Sequence, residues 1–174
     1  MADDPSRYSA RETLRDGRSI EIRALTPGDR DALLEAVGRM SDQSIYRRFF
    51  SSRTHFTDQE VAFYTDVDFV NHVALAVLLE EQGRAVIVGS ARYVVAKPGA
   101  AEVAFAVDDA HQGLGIGALL MKHLAAIARQ AGLETLFAEV LPANTAMLKV
   151  FKNSGLAMST EREQSVTHVT LRLS

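Results

Sequence analysis

The sequence predicts a single α+β domain built on a mixed, mostly antiparallel central sheet of about 6–7 strands with helices packed against it. Three observations point there. An alternating apolar pattern at Ile20 and Ile22 follows a polar turn near the start of the chain. Three apolar runs, separated only by short breaks, fill residues 72 to 107. The C-terminal half then alternates helix-periodic and strand-like segments. Together these give the order β-β-α-α-α-β-β-β-α-β-α-β. A chain of 174 residues is long enough to bury a sizeable core as one unit.

Residues 1–11 read as a flexible leader of small and polar residues, and 12–174 as the domain. Residues 12–25 read as a hairpin, because Asp16-Gly17 is a favoured tight turn and Ile20, Ile22 and the Ala24/Leu25 pair form an apolar face. Thr26 is placed to cap a helix with Pro27 at its first position, Asp29 in its first turn, and Leu33, Leu34 and Val37 on its buried face. Ser41-Asp42 begin a second helix that runs through Arg47, Arg48, Phe49 and Phe50. Thr57-Asp58-Gln59-Glu60 is a capping box for a third, ending near Thr65. Strands follow at 72–80 and 85–96, joined by Glu81-Gln82-Gly83-Arg84, and at 101–107 after Lys97-Pro98-Gly99. These three form an antiparallel meander. Beyond a glycine loop, Leu119, Leu120, Leu124, Ile127 and Ala131 recur at helical spacing until Gly132 stops the helix. Residues 135–141 are a strand, 144–155 a helix with Met147, Val150 and Phe151 on one face, and 166–173 the closing strand.

Composition excludes several functions. With 47% hydrophobic and 24% charged residues the chain matches a globular protein, and a net charge of -3 argues against a general nucleic-acid binder. No cysteine occurs, which removes disulfides, a thiolate nucleophile and cysteine metal sites. The five histidines (55, 72, 111, 123 and 168) lack metal-ligand spacing, so no metal is expected. The longest apolar run, VALAVLL, is too short to span a bilayer, and no signal-peptide core opens the chain. A cytoplasmic location is the resulting expectation.

The informative stretch is HQGLGIG, residues 111–117, with glycines at 113, 115 and 117 just before an apolar helix. Read from Gly113 it spells Gly113-x-Gly115-x-x-Ala118, a dinucleotide fingerprint. That reading needs the first glycine directly after a strand of a βαβ unit and an acid at the end of the next strand. Here Asp108 to Gln112 intervene, Glu139 sits inside its apolar run, and too little chain follows for a doubly wound sheet. Read from Gln112, the stretch spells Gln112-x-x-Gly115-x-Gly117 after a strand and opens a helix. Unpaired N–H groups and the helix dipole there suit a pyrophosphate, such as that of coenzyme A.

With the strand AEVAFAV before it and NTAMLKVFKNSGL after it, this motif resembles the GNAT superfamily of N-acyltransferases over roughly residues 12–174. More narrowly, ETLRDGRSIEIRALTPGD, SIYRRFF and VALAVL look like the acetyltransferase domain of bacterial protein-lysine acetyltransferases. That domain is often fused to another region, and is read here as standing alone. The resemblance implies a GNAT fold in which strands 101–107 and 135–141 form a splayed parallel pair that admits the pantetheine arm of acetyl-CoA, the co-substrate. Backbone groups of Phe105, Ala106 and Val107 would pair with that arm, with Val107 N–H polarising the thioester. Gln112, Gly113, Leu114, Gly115, Ile116, Gly117 and Ala118 would hold the pyrophosphate. Asn144 matches a position that contacts the coenzyme arm and is equally a helix N-cap. Met147 and Phe151 complete the expected cofactor wall.

The implied reaction is acetyl transfer to a primary amine. A free lysine has a pKa of about 10.4, so deprotonation near neutral pH costs roughly 4–5 kcal/mol. A positioned base is therefore useful, and Glu102, opening an apolar strand, is the candidate, as in superfamily members with glutamate there. Glu139 is a second carboxylate on the facing strand, with an outward orientation expected. Many relatives carry tyrosine as an acid where this chain has Phe151, so the proton donor to the leaving thiolate is unassigned. A thiol of pKa about 8.5 leaves without one. Arg47 and Arg48 are read as lining a substrate groove, contacting the coenzyme or lying on a half-solvated helix, and Lys149 and Lys152 as meeting the coenzyme's 3′-phosphate or lying on an exposed helix face. The absence of cysteine favours direct attack in a ternary complex. A protein lysine is the first choice of acceptor; a small-molecule amine, or a non-catalytic acyl-CoA-binding sensor, are the rivals. Neither nucleic acid nor membrane is an expected partner, and a homodimer stays open beside a monomer.

Overall fold

The computed structural model describes residues 4–49 and 56–173. Met1, Ala2 and Asp3 of the expected leader, Phe50, His55 and Ser174 lie outside them. The strands are β1 (Ser9–Thr13), β2 (Ser19–Ala24), β3 (His72–Glu81), β4 (Arg84–Lys97), β5 (Ala100–Val107), β6 (Thr135–Val140), β7 (Ala157–Glu163) and β8 (Val166–Arg172). They form one eight-stranded sheet in the order β1-β2-β3-β4-β5-β6-β8-β7. Every neighbouring pair is antiparallel except β5 and β6. The helices are α1 (Arg30–Gly38), α2 (Asp42–Phe49), α3 (Asp58–Thr65), α4 (Ile116–Gln130) and α5 (Thr145–Lys152).

Burial explains the layering. On β3, Val73 to Val77 are all fully buried, so both faces of the central strand are covered. Val73, Leu75 and Val77 pack with Leu120, Leu124 and Ile127 of α4, while Ala74 and Ala76 pack with Leu25 and Leu33 on the opposite side. Helix α4 therefore lies on one face and α1 on the other. A Leu of this kind contributes roughly 1.5–3 kcal/mol by leaving water. Gly89 of β4 permits the close approach of α4: a Cβ there would stand 3.0 Å from Ile116 Cγ2.

The capping signals are realised. Thr26 and Asp29 form a capping box around a single 3-10 turn, Pro27–Asp29, that leads into α1. Thr57 Oγ1 accepts from Glu60 N–H at 3.1 Å. The β3–β4 hairpin closes through Gln82 and Gly83, both at positive φ, as a two-residue turn requires.

Three details differ from the expectation. The described part of the expected leader is structured: Pro5–Arg7 form a 3-10 turn and β1 starts at Ser9. Tyr8 holds that segment through a hydrogen bond between its hydroxyl and His123 Nδ1, a long-range contact that local composition cannot signal. On α1, Leu34 faces solvent and Ala32, Leu33 and Ala36 turn to the core, because the helix begins after a 3-10 turn that resets its phase. The sheet has an eighth strand, β7, paired to β8 at its outer edge. Its sequence, AMSTERE, is exposed along most of its length, so no apolar alternation marks it.

Leu124 is fully buried between α4 and β3. Leu124→Ala is expected to lower the unfolding free energy by about 2–5 kcal/mol, read from urea denaturation followed by circular dichroism.

Candidate functional site

The site begins where the sheet forks. β5 and β6 are in register only at Ala100 with Thr135, Ala101 with Leu136, and Glu102 with Phe137. Beyond that point β5 stays bonded to β4 as far as Val107, and β6 to β8 as far as Val140. The facing edges of the two strands part, leaving backbone donors and acceptors free for an extended ligand. A cleft of about 440 Å³ occupies this gap and runs to the glycine loop. Phe105 and Phe151 meet edge to face within it, their ring centroids 5.8 Å apart. Phe151 is 1% exposed, so it is both core and cleft wall.

The glycine loop closes the wide end. Gly115 is the N-cap of α4 at φ +91°, a left-handed conformation that glycine adopts without a Cβ clash. No protein acceptor among the described residues takes the N–H groups of residues 113 to 118. A run of unpaired amides at the start of a 15-residue helix is a preformed anion site, aided by the helix dipole. Arg15, on the β1–β2 hairpin, adds a cation: its Nη1 donates to Gly113 O at 3.3 Å and its N–H to Leu114 O at 3.2 Å.

A polar network holds the loop at the end of β5. Asp108 is buried, with its Oδ2 2.7 Å from His111 Nδ1 and its Oδ1 3.6 Å from Arg39 Nε. His111 Nε2 lies 2.9 Å from Glu81 Oε1 on the β3–β4 turn. Gln112 Nε2 donates to Val107 O at 3.3 Å, tying the loop to the last residue of β5. Asn144 caps α5, its Oδ1 accepting from Met147 N–H at 3.3 Å, and also lines the cleft.

Two carboxylates flank the fork. Glu102, at the last paired position, has its pKa raised, first by desolvation and then by Glu139, with Arg48 opposing. Its side chain is still open to solvent. Glu139 is exposed on β6 with its Oε1 3.7 Å from His168 Nδ1, as an outward-facing strand residue would be, yet it borders the cleft.

Of the residues singled out from the sequence, Phe105, Ala106, Val107, Gln112, Gly113, Gly115, Ile116, Gly117, Ala118, Asn144, Met147 and Phe151 all line the cleft. Leu114 does not: its side chain turns into the core, although its backbone N–H stays with the loop. Glu102 stands at the fork beside the cleft rather than in its wall. Arg47, Arg48 and Lys149 border the cleft and Lys152 does not. Sequence reasoning missed Arg15, which nothing local marks; only the pairing of β1 with β2 carries it to the loop. No group of three or more His, Cys, Asp or Glu side chains gathers as a metal site among the described residues.

A model of the acetyltransferase (GNAT) family matches residues 43–156. Acetyltransferase PA5475 of Pseudomonas aeruginosa is 32% identical over 137 residues, covering 78% of this chain and 74% of the relative. Acetyltransferase Pat of Mycolicibacterium smegmatis is 33% identical over 144 residues, covering 82% of this chain but 42% of that protein. Among solved structures, the GNAT domain of S. lividans PAT superposes with a TM-score of 0.85 at 35% identity, covering 94% of this chain and 96% of that domain.

Asp108 is the shared acceptor for His111 and Arg39, and its removal leaves a buried gap beside both. Asp108→Ala is expected to lower the unfolding free energy by about 3 kcal/mol in urea denaturation. Gln112→Ala, at an exposed residue with one long bond, is expected to change it by less than about 1 kcal/mol.

Proposed function

The chain belongs to the acetyltransferase (GNAT) family, and from that premise we propose that it transfers an acetyl group from acetyl-CoA to a primary amine, a protein lysine, by direct attack with both substrates bound. The observation that carries the donor half is the forked cleft ending on unpaired amides. Its narrow end offers strand edges to a pantetheine arm and its wide end offers N–H groups to a pyrophosphate. The lysine acceptor draws support from the likeness to Pat proteins, whose longer members extend well beyond the span of this chain.

Acetyl-CoA supplies a thioester-activated acetyl group. Residues Phe105 to Val107 orient it through the free edge of β5, and a backbone N–H there, that of Val107, stabilises the developing oxyanion. Glu102 takes the proton from the incoming ammonium. The freed amine forms the C–N bond, the C–S bond breaks, and the thiolate leaves without a side-chain acid at Phe151. A base with a raised pKa suits this proton transfer better than an ordinary surface glutamate.

The working form of Glu102 is ionised, so kcat/KM rises with pH through its raised pKa and is lost below it. Glu102→Gln is expected to lower kcat by about 100-fold or more and to abolish that acidic limb, read by thiol release from acetyl-CoA across pH. Full activity in this variant would remove Glu102 as base. At the loop, Gly115→Ala forces a Cβ into a left-handed backbone and to 3.4 Å from Arg15 Nε. The variant is expected to raise the KM for acetyl-CoA by about 10-fold with a much smaller change in kcat, since loss of roughly 1.4 kcal/mol of binding is tenfold. A thiol-release survey over proteins, peptides and small amines tests the acceptor. Tight acetyl-CoA binding with no turnover on any amine would instead make the protein a sensor.

A further inference from the structure

A second cavity, of about 50 Å³, adjoins the cleft beneath α1, α2 and α3. Met40, Arg48 and Ala106 line both spaces, so the small one opens off the large one beside β5. Three arginines line the small one: Arg30 is ion-paired with Asp58 Oδ1 at 3.5 Å, while Arg48 and Arg92 have no such partner among the described residues. Arg92, on β4, is 5% exposed. Its Nη1 donates to Tyr64 O at 3.0 Å and to His72 Nε2 at 2.9 Å, and no acceptor among the described residues takes its Nε or Nη2. Arg48, on α2, has no hydrogen-bond acceptor and no carboxylate within ion-pair distance among the described residues. It lies instead over the rings of Phe49 and Tyr64, 4.8 and 5.8 Å from their centroids, while Arg92 lies 4.9 Å from that of Tyr64.

Two like charges thus share one aromatic ring without an anion between them. The cost is visible in their titration. Burial and the neighbouring Arg48 push Arg92 down to about 9, and burial lowers Arg48 as well. Arg92 stays charged at neutral pH. His72 is pushed down to about 4 by burial and Arg92, so it is neutral and accepts the Arg92 hydrogen bond. It cannot serve as the counter-charge, and burying Arg92 beside the half-buried Arg48 without one among the described residues is costly. Glu102 acts on Arg48 from the fork, which sets an acidic group at one end of this surface and a cationic pair at the other.

We infer that this pocket receives a carboxylate of the acceptor, held by Arg48 and Arg92 while the acceptor's amine reaches Glu102. The inference rests on the acetyl-transfer reading above and narrows the acceptor to an amine with an anionic group close by. A guanidinium matches a carboxylate in planar, two-point geometry, and ring walls keep water from competing. The carboxylate has two sources: an acidic side chain beside a target lysine, or the α-carboxylate of a free amino acid.

Product binding tests this without requiring turnover. Calorimetry with coenzyme A present would compare Nα-acetyl amino acids with their carboxamides. A parallel arm would compare Nε-acetyllysine peptides flanked by Asp or Glu with the same peptides carrying Asn or Gln. The acid is expected to bind at least 10-fold more tightly than its amide in one arm, which identifies the source. Arg48→Gln, with its fold checked by circular dichroism, is expected to bring that ratio near one. Equal binding of acid and amide in both arms, including no binding of either, overturns the inference. So does a preference that survives Arg48→Gln. Failure of acetyl-CoA itself to bind would sink the acetyl-transfer reading, and is scored separately.

Discussion

The structure depends on a pair of parallel strands that can be hydrogen-bonded at one end only. β5 is committed to β4 along its length and β6 to β8, so the two can share a ladder only from Ala100 to Glu102. Past Glu102 their edges diverge around Phe105 and Phe151. In a closed sheet those edges would satisfy each other; here they are left to water or a ligand. The same fork fixes the other parts of the site. It sets Glu102 at the vertex, Glu139 on the opposite arm, and the glycine loop at the open end of β5, where Asp108 and His111 anchor it.

Electrostatics then divides the cleft. The loop end has free amides with Arg15, Arg47 and Lys149 nearby, although the whole chain carries a net charge of -3. The fork end has two carboxylates, Glu102 and Glu139, and burial followed by the charge of Glu139 raises the pKa of Glu102. Beneath it the arginine pair stands without an ion-pair partner among the described residues. On the proposed reading, an anionic donor, a cationic amine and an acceptor carboxylate would meet three separate regions of the surface. Net charge, an average over the surface, conceals this arrangement.

Much of the fold was legible because local rules decided it. Thr26 and Thr57 announce their caps, Gln82-Gly83 its hairpin, and the apolar stripe of α4 its buried face. The donor loop was legible too, because glycine spacing before a helix is a local pattern. What escaped was set by distant partners. β7 is mostly polar and exposed and is paired along its length with β8. Tyr8 is ordered by His123, more than a hundred residues away. Arg15 reaches the loop only through the tertiary fold, and Arg48 and Arg92 come together across α2 and β4 with no shared motif. Leu114 was assigned to the cofactor from its place in the loop, but an apolar side chain among unpaired amides turns inward.

The fork and its amide loop suit an acyl-CoA and not a dinucleotide. Both readings were available in the same glycines, and the antiparallel meander upstream, with the single short parallel pair, separates them. Titration calorimetry of the protein with acetyl-CoA and, in parallel, with NADH tests the point most directly. Saturable one-to-one binding of acetyl-CoA, weakened by Gly115→Ala and absent for NADH, is the result predicted. Saturable binding of NADH with none of acetyl-CoA would contradict it.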